Sequence, residues 1–219
     1  MSQAKERPIL FSGPMVRAIL DGRKTVTRRP IKPSMRGFDI SFELHQQEDG
    51  SWRPMHTFDE SCMDDQGTEH PVICPYGKPG DRLWVRETWY CDHFEVMRGP
   101  YLKPADLVVT EARSDGTLVY AADGLTPYEA DQPAWKPSIH MPRWASRILL
   151  EVTDVRVEQL QAISIGQICK EGLARSIYEF IPVTTAFDAF AEVWDSINGP
   201  GAWEANPWVW AVEFKQVQP

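Results

Sequence analysis

No stretch of the chain approaches the roughly 18 apolar residues that a membrane-spanning helix needs. The opening Met1-Ser2-Gln3-Ala4-Lys5-Glu6-Arg7 has no apolar core of the kind a secretory leader carries. A cytoplasmic protein without membrane contact is therefore expected. Cysteine is scarce: Cys62, Cys74, Cys91 and Cys169 form no Cys-x-x-Cys pair, so no disulfide framework is expected. His56, Cys62, His70, Cys74, Cys91 and His93 fall in one segment, but their spacings match no zinc pattern, and neither a metal nor another cofactor is expected. Positive charge is also in deficit. A net charge of -8 argues against wrapping of long duplex DNA, which phosphate neutralisation drives. Internal repeats and low-complexity tracts are absent.

What is present is an ordinary globular composition, 42% hydrophobic and 25% charged over 219 residues, enough to bury a core unaided. The cations are unevenly placed. Between Arg17 and Arg36 the chain carries Arg17, Arg23, Lys24, Arg28, Arg29, Lys32 and Arg36 against Asp21 alone. A local basic site for a small or single-stranded anionic target fits this asymmetry better than a uniformly basic surface does.

The centre of that stretch is residues 18–30. Met15, Ala18 and Ile19 recur at helical spacing, and Gly22 stands where a helix C′ residue belongs. Thr25-Val26-Thr27 then favours a strand, which Pro30 ends. On that strand Thr25, Thr27 and Arg29 share one face, and Val26 and Arg28 the other. Two readings are open at this point: a solvated basic hairpin, or a pocket in which a lysine lies beside a hydroxyl.

Along the chain, Pro8–Phe11 reads as a buried strand, and Phe38–Leu44 and Arg53–Phe58 as weak strands. After the Pro79-Gly80-Asp81 turn, a strand is expected over Arg82–Tyr90, then a short one at Leu118–Ala122 and a long one at Ile148–Glu158. Ser164 caps a short helix, Ile165–Glu171, closed by Gly172. Thr184–Ile197 is a longer helix whose apolar stripe of Phe187, Phe190, Ala191 and Trp194 reads as core. The last strand, Trp208–Phe214, places Trp208, Trp210, Val212 and Phe214 on one face. This pattern predicts one α+β, mainly β domain over residues 1–219. It would be a small β-barrel with about three flanking helices and loop-rich insertions at about 31–78 and 91–143. In the second insertion, Trp135-Lys136-Pro137-Ser138-Ile139-His140-Met141-Pro142-Arg143-Trp144 reads either as a packed loop or as a base-stacking, phosphate-contacting rim.

The sequence of pieces resembles the ASCH superfamily, which is linked to RNA. The resemblance rests on Leu20-x-Gly22-Arg23-Lys24-Thr25-x-Thr27-x-Arg29, on Pro79-Gly80-Asp81 before a strand, and on the long Val-rich strand. The short helix after that strand and Trp210-x-x-x-Phe214 complete it. It covers Pro8–Pro30, Pro79 to about Val85, and Arg147–Phe214, and the longer segments look like those of ASCH-like proteins from bacteriophages and prophages. It implies a PUA-like β-barrel and a bacterial or phage-infected bacterial setting. The motif is closest to the small bacterial N4-acetylcytidine amidohydrolases. That likeness implies Lys24 as catalytic lysine, Thr27 as nucleophile, Glu171 as catalytic glutamate and Arg29 as substrate-orienting or oxyanion-stabilising arginine. Arg28 departs from the isoleucine of the small enzymes. The implied partner is a modified nucleoside. The competing expectations are an RNA-binding module or an RNA-cleaving protein acting on single-stranded or structured RNA. The RNA-binding module would use Arg23, Arg28, Arg29 and Arg143 with Trp135, Trp144 and Trp208 as stacking platforms, and the RNA-cleaving protein would draw part of its general base and phosphate clamp from Lys24, Arg28 and Arg29. A closed, nucleoside-sized pocket at Lys24 would favour the hydrolase, and an open groove RNA binding. The oligomeric state has no signature in the sequence.

Overall fold

A computed structural model describes residues 4–31, 40–48, 52–58, 70–97, 99–124, 135–182 and 184–218. The chain opens with β1 (Glu6–Leu10), α1 (Gly13–Leu20) and β2 (Val26–Pro30), followed by β3 (Ile40–Gln46), β4 (Trp52–Phe58) and β5 (His70–Pro71). Next come β6 (Arg82–Arg86), β7 (Trp89–Cys91), α2 (Phe94–Met97), α3 (Val109–Ser114) and β8 (Leu118–Tyr120). The last part holds β9 (Leu149–Gln159), α4 (Ile165–Lys170), α5 (Thr185–Asn198) and β10 (Trp208–Val217).

Five strands form the main sheet in the order β1-β6-β9-β10-β2. β1 runs parallel to β6, and the other pairs are antiparallel. The expected PUA-like barrel is not what forms. A barrel exists only when its two edge strands pair, and here β1 and β2 stand at opposite ends of an open sheet. The architecture is a mixed α/β fold with five α-helices among the described residues rather than about three. Alternating polarity predicts which face a side chain takes, and it carries no information on whether the ends of a sheet meet.

Both faces of this sheet are covered, so β10 is apolar almost continuously rather than alternately. On one face Val16 and Ile19 of α1 pack with Leu83, Leu150, Val152, Trp210, Val212 and Phe214. On the other, Ile168 of α4 and Phe190 and Trp194 of α5 pack with Leu160, Ile163 and Val209. The strand expected over 82–90 breaks after Arg86. β6 belongs to the main sheet, whereas β7 pairs with β8 in a separate ribbon. That ribbon sits in its own core of Trp89, Val96, Leu107, Leu118, Tyr120 and Met141, so the segment expected to be loop-rich builds apolar packing of its own. Within 31–78, β3, β4 and β5 form a small antiparallel sheet. Phe38 of the expected Phe38–Leu44 strand lies outside the described residues. No helix among the described residues is long and apolar enough to cross a membrane.

Where β6 ends, Glu87 is buried beneath a bidentate contact from Arg147, with Nε at 2.9 Å and Nη2 at 3.0 Å. Burial pushes the Glu87 carboxyl up despite this partner. Arg147 also grips Asp123 and lies 4.0 Å from the Tyr120 ring centroid. Arg147→Ala would strand the carboxylate, so it is expected to lower unfolding free energy by roughly 3–5 kcal/mol in urea denaturation. A loss below 1 kcal/mol would show that the pair contributes little.

Candidate active site

Two helix ends create the site. α1 stops at Leu20, and Gly22 takes φ 71°, which lets both the Arg23 and Lys24 N–H groups donate to Ala18 O at 2.8 and 2.9 Å. α4 starts at a capping box, Ser164 with Gln167, and ends at Glu171 followed by Gly172 at φ 93°. The Thr25 N–H donates to Lys170 O at 2.9 Å and ties the two ends together. Gly172 is needed for space as well as for backbone conformation. A Cβ there would lie 2.7 Å from Ala18 Cβ and 3.0 Å from Lys24 Cβ. Gly172→Ala is therefore expected to cost about 2 kcal/mol or more and to displace Lys24. The melting temperature should fall, and an unchanged one would contradict this packing.

Lys24 and Thr27 are each 2% exposed. Lys24 Nζ donates to Val26 O (2.9 Å), Glu171 O (2.9 Å) and Glu171 Oε2 (2.6 Å), which uses all three ammonium protons. Burial pushes this ammonium down from the usual lysine range, opposed by Glu171 and reinforced by Arg29 and Arg28. The other carboxylate oxygen, Oε1, accepts from Arg28 Nη1 at 3.1 Å. Arg28 in turn donates through Nε to Glu158 Oε1 at 2.7 Å. Its Nη2 lies 2.6 Å from the same oxygen, but it is aligned for no hydrogen bond, so that contact is a charge contact only. Lys24, Glu171 and Arg28 thus form a buried chain of alternating charge that ends at the half-buried Glu158.

β2 is an edge strand. Ile31 N–H donates to Trp208 O and Phe214 N–H to Thr25 O, so the odd-numbered residues of this segment bond to β10. The main-chain groups of Val26 and Arg28 therefore point off the open edge, as the Val26 O contact with Lys24 Nζ confirms. The Arg28 N–H, one residue beyond the Thr27 hydroxyl, lies on that edge. Against it opens a cleft of about 550 Å³, a size suited to a small organic ligand. Thr27, Arg28, Arg29 and Glu171 line its floor. Met15 of α1 and Val193, Trp194 and Ile197 of α5 line its walls. Lys24 does not line it, but its Nζ holds Glu171, which does.

Of the candidates, Arg23, Thr27, Arg28, Arg29 and Glu171 line the cleft, Lys24 and Arg28 both contact Glu171, and Arg23 binds Asp21 and Gly172 O. Arg29 donates through Nη2 to Leu10 O (2.6 Å) and lies 5.4 Å from the Phe11 ring centroid. The remaining candidates lie elsewhere. Trp144 packs edge-on against Trp89 at 5.9 Å and donates to Tyr101 O, and Arg143 pairs with Glu6. Trp208 lies against Trp52 at 5.1 Å, and Trp135 is half-buried. None of these four lines the cleft. No group of three or more potential metal ligands exists among the described residues, and Cys62 lies outside them. Burial pushes the Cys91 thiol up to about 11, as for an inert buried cysteine. Two contributors had no distinguishing pattern in the sequence. Glu158 is one of several acids on β9, and Trp194 reads as core, yet one holds Arg28 and the other walls the cleft as well as packing beneath it.

Comparison of the chain with protein-family models, with curated proteins and with solved structures finds no match in any of the three.

Proposed function

We propose that this protein is an amidohydrolase that removes the acyl group from an N4-acetylated, cytidine-like nucleoside. The observation that carries this reading is the buried Lys24–Glu171 pair, 2.6 Å between Nζ and Oε2, of which Glu171 lines the cleft together with Thr27. The resemblance of Gly22–Arg29 to the acetylcytidine hydrolase motif supports it. An unaided threonine hydroxyl is a poor nucleophile, and a lysine pushed toward its neutral form is a fitting base.

In this scheme Thr27 Oγ1 attacks the acetyl carbon and its proton passes to Lys24. Before attack, the proton shared across the 2.6 Å contact moves from Nζ to Glu171, which leaves Lys24 a neutral amine; it gives up Val26 O, beside Thr27 on the strand, and its lone pair takes the threonine proton. The outward N–H of Arg28 donates to the oxyanion that develops on the acyl oxygen. Collapse of the tetrahedral adduct breaks the C–N bond, and the electron pair leaves with the amine nitrogen, which takes a proton delivered by Glu171. The acetyl ester left on Thr27 is hydrolysed by water, releasing acetate and restoring the hydroxyl.

The test is to incubate the purified protein with N4-acetylcytidine and follow cytidine and acetate by chromatography. Stoichiometric release of both, lost in Lys24→Ala, is expected. No release, or release unaffected by Lys24→Ala, would sink the assignment and move weight to RNA binding or cleavage at the same basic stretch.

A further inference from the structure

The cleft carries more positive charge than acyl transfer from a neutral nucleoside requires. Its lining includes Arg17, Arg23, Arg28 and Arg29 against Asp21 and Glu171, a local excess of cations in a chain of net charge -8. Arg23 is neutralised by Asp21, and Arg28 by Glu158 and Glu171. Arg17 and Arg29 make no ion pair within 4 Å among the described residues, although Glu171 acts on Arg29 from farther away. Each is held instead by one main-chain carbonyl, Ala122 O for Arg17 Nη1 (3.0 Å) and Leu10 O for Arg29 Nη2 (2.6 Å).

These two guanidinium groups flank the same short segment. Arg29 is anchored on Leu10 and lies over Phe11, whereas Arg17 folds back along α1 until Nη1 is 3.7 Å from the place a Gly13 Cβ would occupy. Between them α1 begins with no side-chain cap from Ser12 and no acidic residue in its first turn. Arg29 Nε is buried without a hydrogen-bond partner, an unmet donor beside the cleft. A dianion with several acceptor oxygens is the chemistry that satisfies two forked donors at an uncapped helix start.

We infer that the substrate is a nucleotide rather than a free nucleoside, with a phosphate monoester seated between Arg17 and Arg29. The inference rests on the amidohydrolase reading for the acylated base, but not for the phosphate. The base would then lie toward the apolar wall of Val193, Trp194 and Ile197, and the acyl group toward Thr27.

The experiment compares N4-acetylcytidine with its 5′- and 3′-monophosphates as substrates for wild type, Arg17→Met and Arg29→Met. In parallel, calorimetry measures the binding of cytidine and of both cytidine monophosphates. One monophosphate should exceed the nucleoside by roughly 10–100-fold in kcat/KM and in affinity, and the ratio should fall toward one in both variants. Which monophosphate is favoured identifies the phosphate position. Arg29→Lys, which keeps the charge but loses the fork, should give an intermediate ratio and covers the case that Arg29→Met fails to fold. Equal kcat/KM and affinity for all three compounds would overturn the inference while leaving the amidohydrolase reading standing. Arginine-dependent binding of a monophosphate with no acetyl release would support the phosphate site and overturn the hydrolase.

Discussion

Thr27→Ala is expected to lower kcat/KM toward N4-acetylcytidine by at least roughly 10³-fold, because the proposed acyl-enzyme forms on the Thr27 hydroxyl. The protein itself should barely notice. Thr27 sits opposite Val212 on an edge strand, and no partner for its hydroxyl is found among the described residues. Loss of the hydroxyl and a methyl there should cost about 1 kcal/mol, a shift of a few degrees in melting temperature. Thr27→Ser keeps the nucleophile and should retain measurable turnover. Rapid-quench mass spectrometry of wild type should show a transient gain of one acetyl group on the peptide containing Thr27, absent in the alanine variant. Near-normal turnover by Thr27→Ala would mean that water, not threonine, attacks the substrate.

Glu171→Leu should destabilise the protein by roughly 3–5 kcal/mol, since it leaves the fully buried Lys24 ammonium with carbonyl partners only. Arg28 is not stranded by the same change, because Glu158 still holds it. The loss should be largest at neutral pH and shrink in alkali. The Lys24 ammonium already lies below its ordinary 10.5 through burial, and removing its counter-ion pushes it further down. Between that lowered value and 10.5 the unfolded chain binds the proton and the folded chain does not, so stability rises with pH across the window. The double variant Lys24→Met/Glu171→Leu removes both charges from the interior. It should recover most of the lost stability at neutral pH while remaining inactive. Additive losses in the double variant, measured by urea denaturation, would show that the two side chains are not coupled.

Much of this site was legible in the sequence because it is built from local signals. Gly22 and Gly172 were expected as residues that follow helices, and both adopt positive φ at those places. The β-branched run ahead of Pro30 was expected to be a strand with Arg28 on the face opposite Thr27 and Arg29. The register agrees, with Arg28 across from Ala211 and its guanidinium reaching Glu158, while Arg29 reaches Leu10 and Phe11 on the other face. Ser164 was expected to cap the short helix, and it closes a full capping box there. Each of these depends on a few neighbouring residues whose backbone preferences are fixed by sterics and local hydrogen bonding.

What the sequence by itself determined, then, is the run of elements at Pro8–Pro30 and from Ile148 onward, the two glycine-terminated helix ends, and the alternation that sets Thr27 and Arg29 on one face and Arg28 on the other. Tertiary structure alone decided three things. It left the sheet open, since β1 and β2 stand at its two ends and no periodicity records whether ends meet. It divided the expected strand at 82–90 between two sheets, because the buried Glu87 follows β6 where the chain leaves for a separate core. And it chose Glu158, 130 positions from Arg28, as the carboxylate that neutralises it, and Val193, Trp194 and Ile197 as the wall of the cleft. Contacts of that kind are selected by the packing of whole elements against one another, where the free energy of burying a charge or an apolar face depends on what arrives from the far end of the chain.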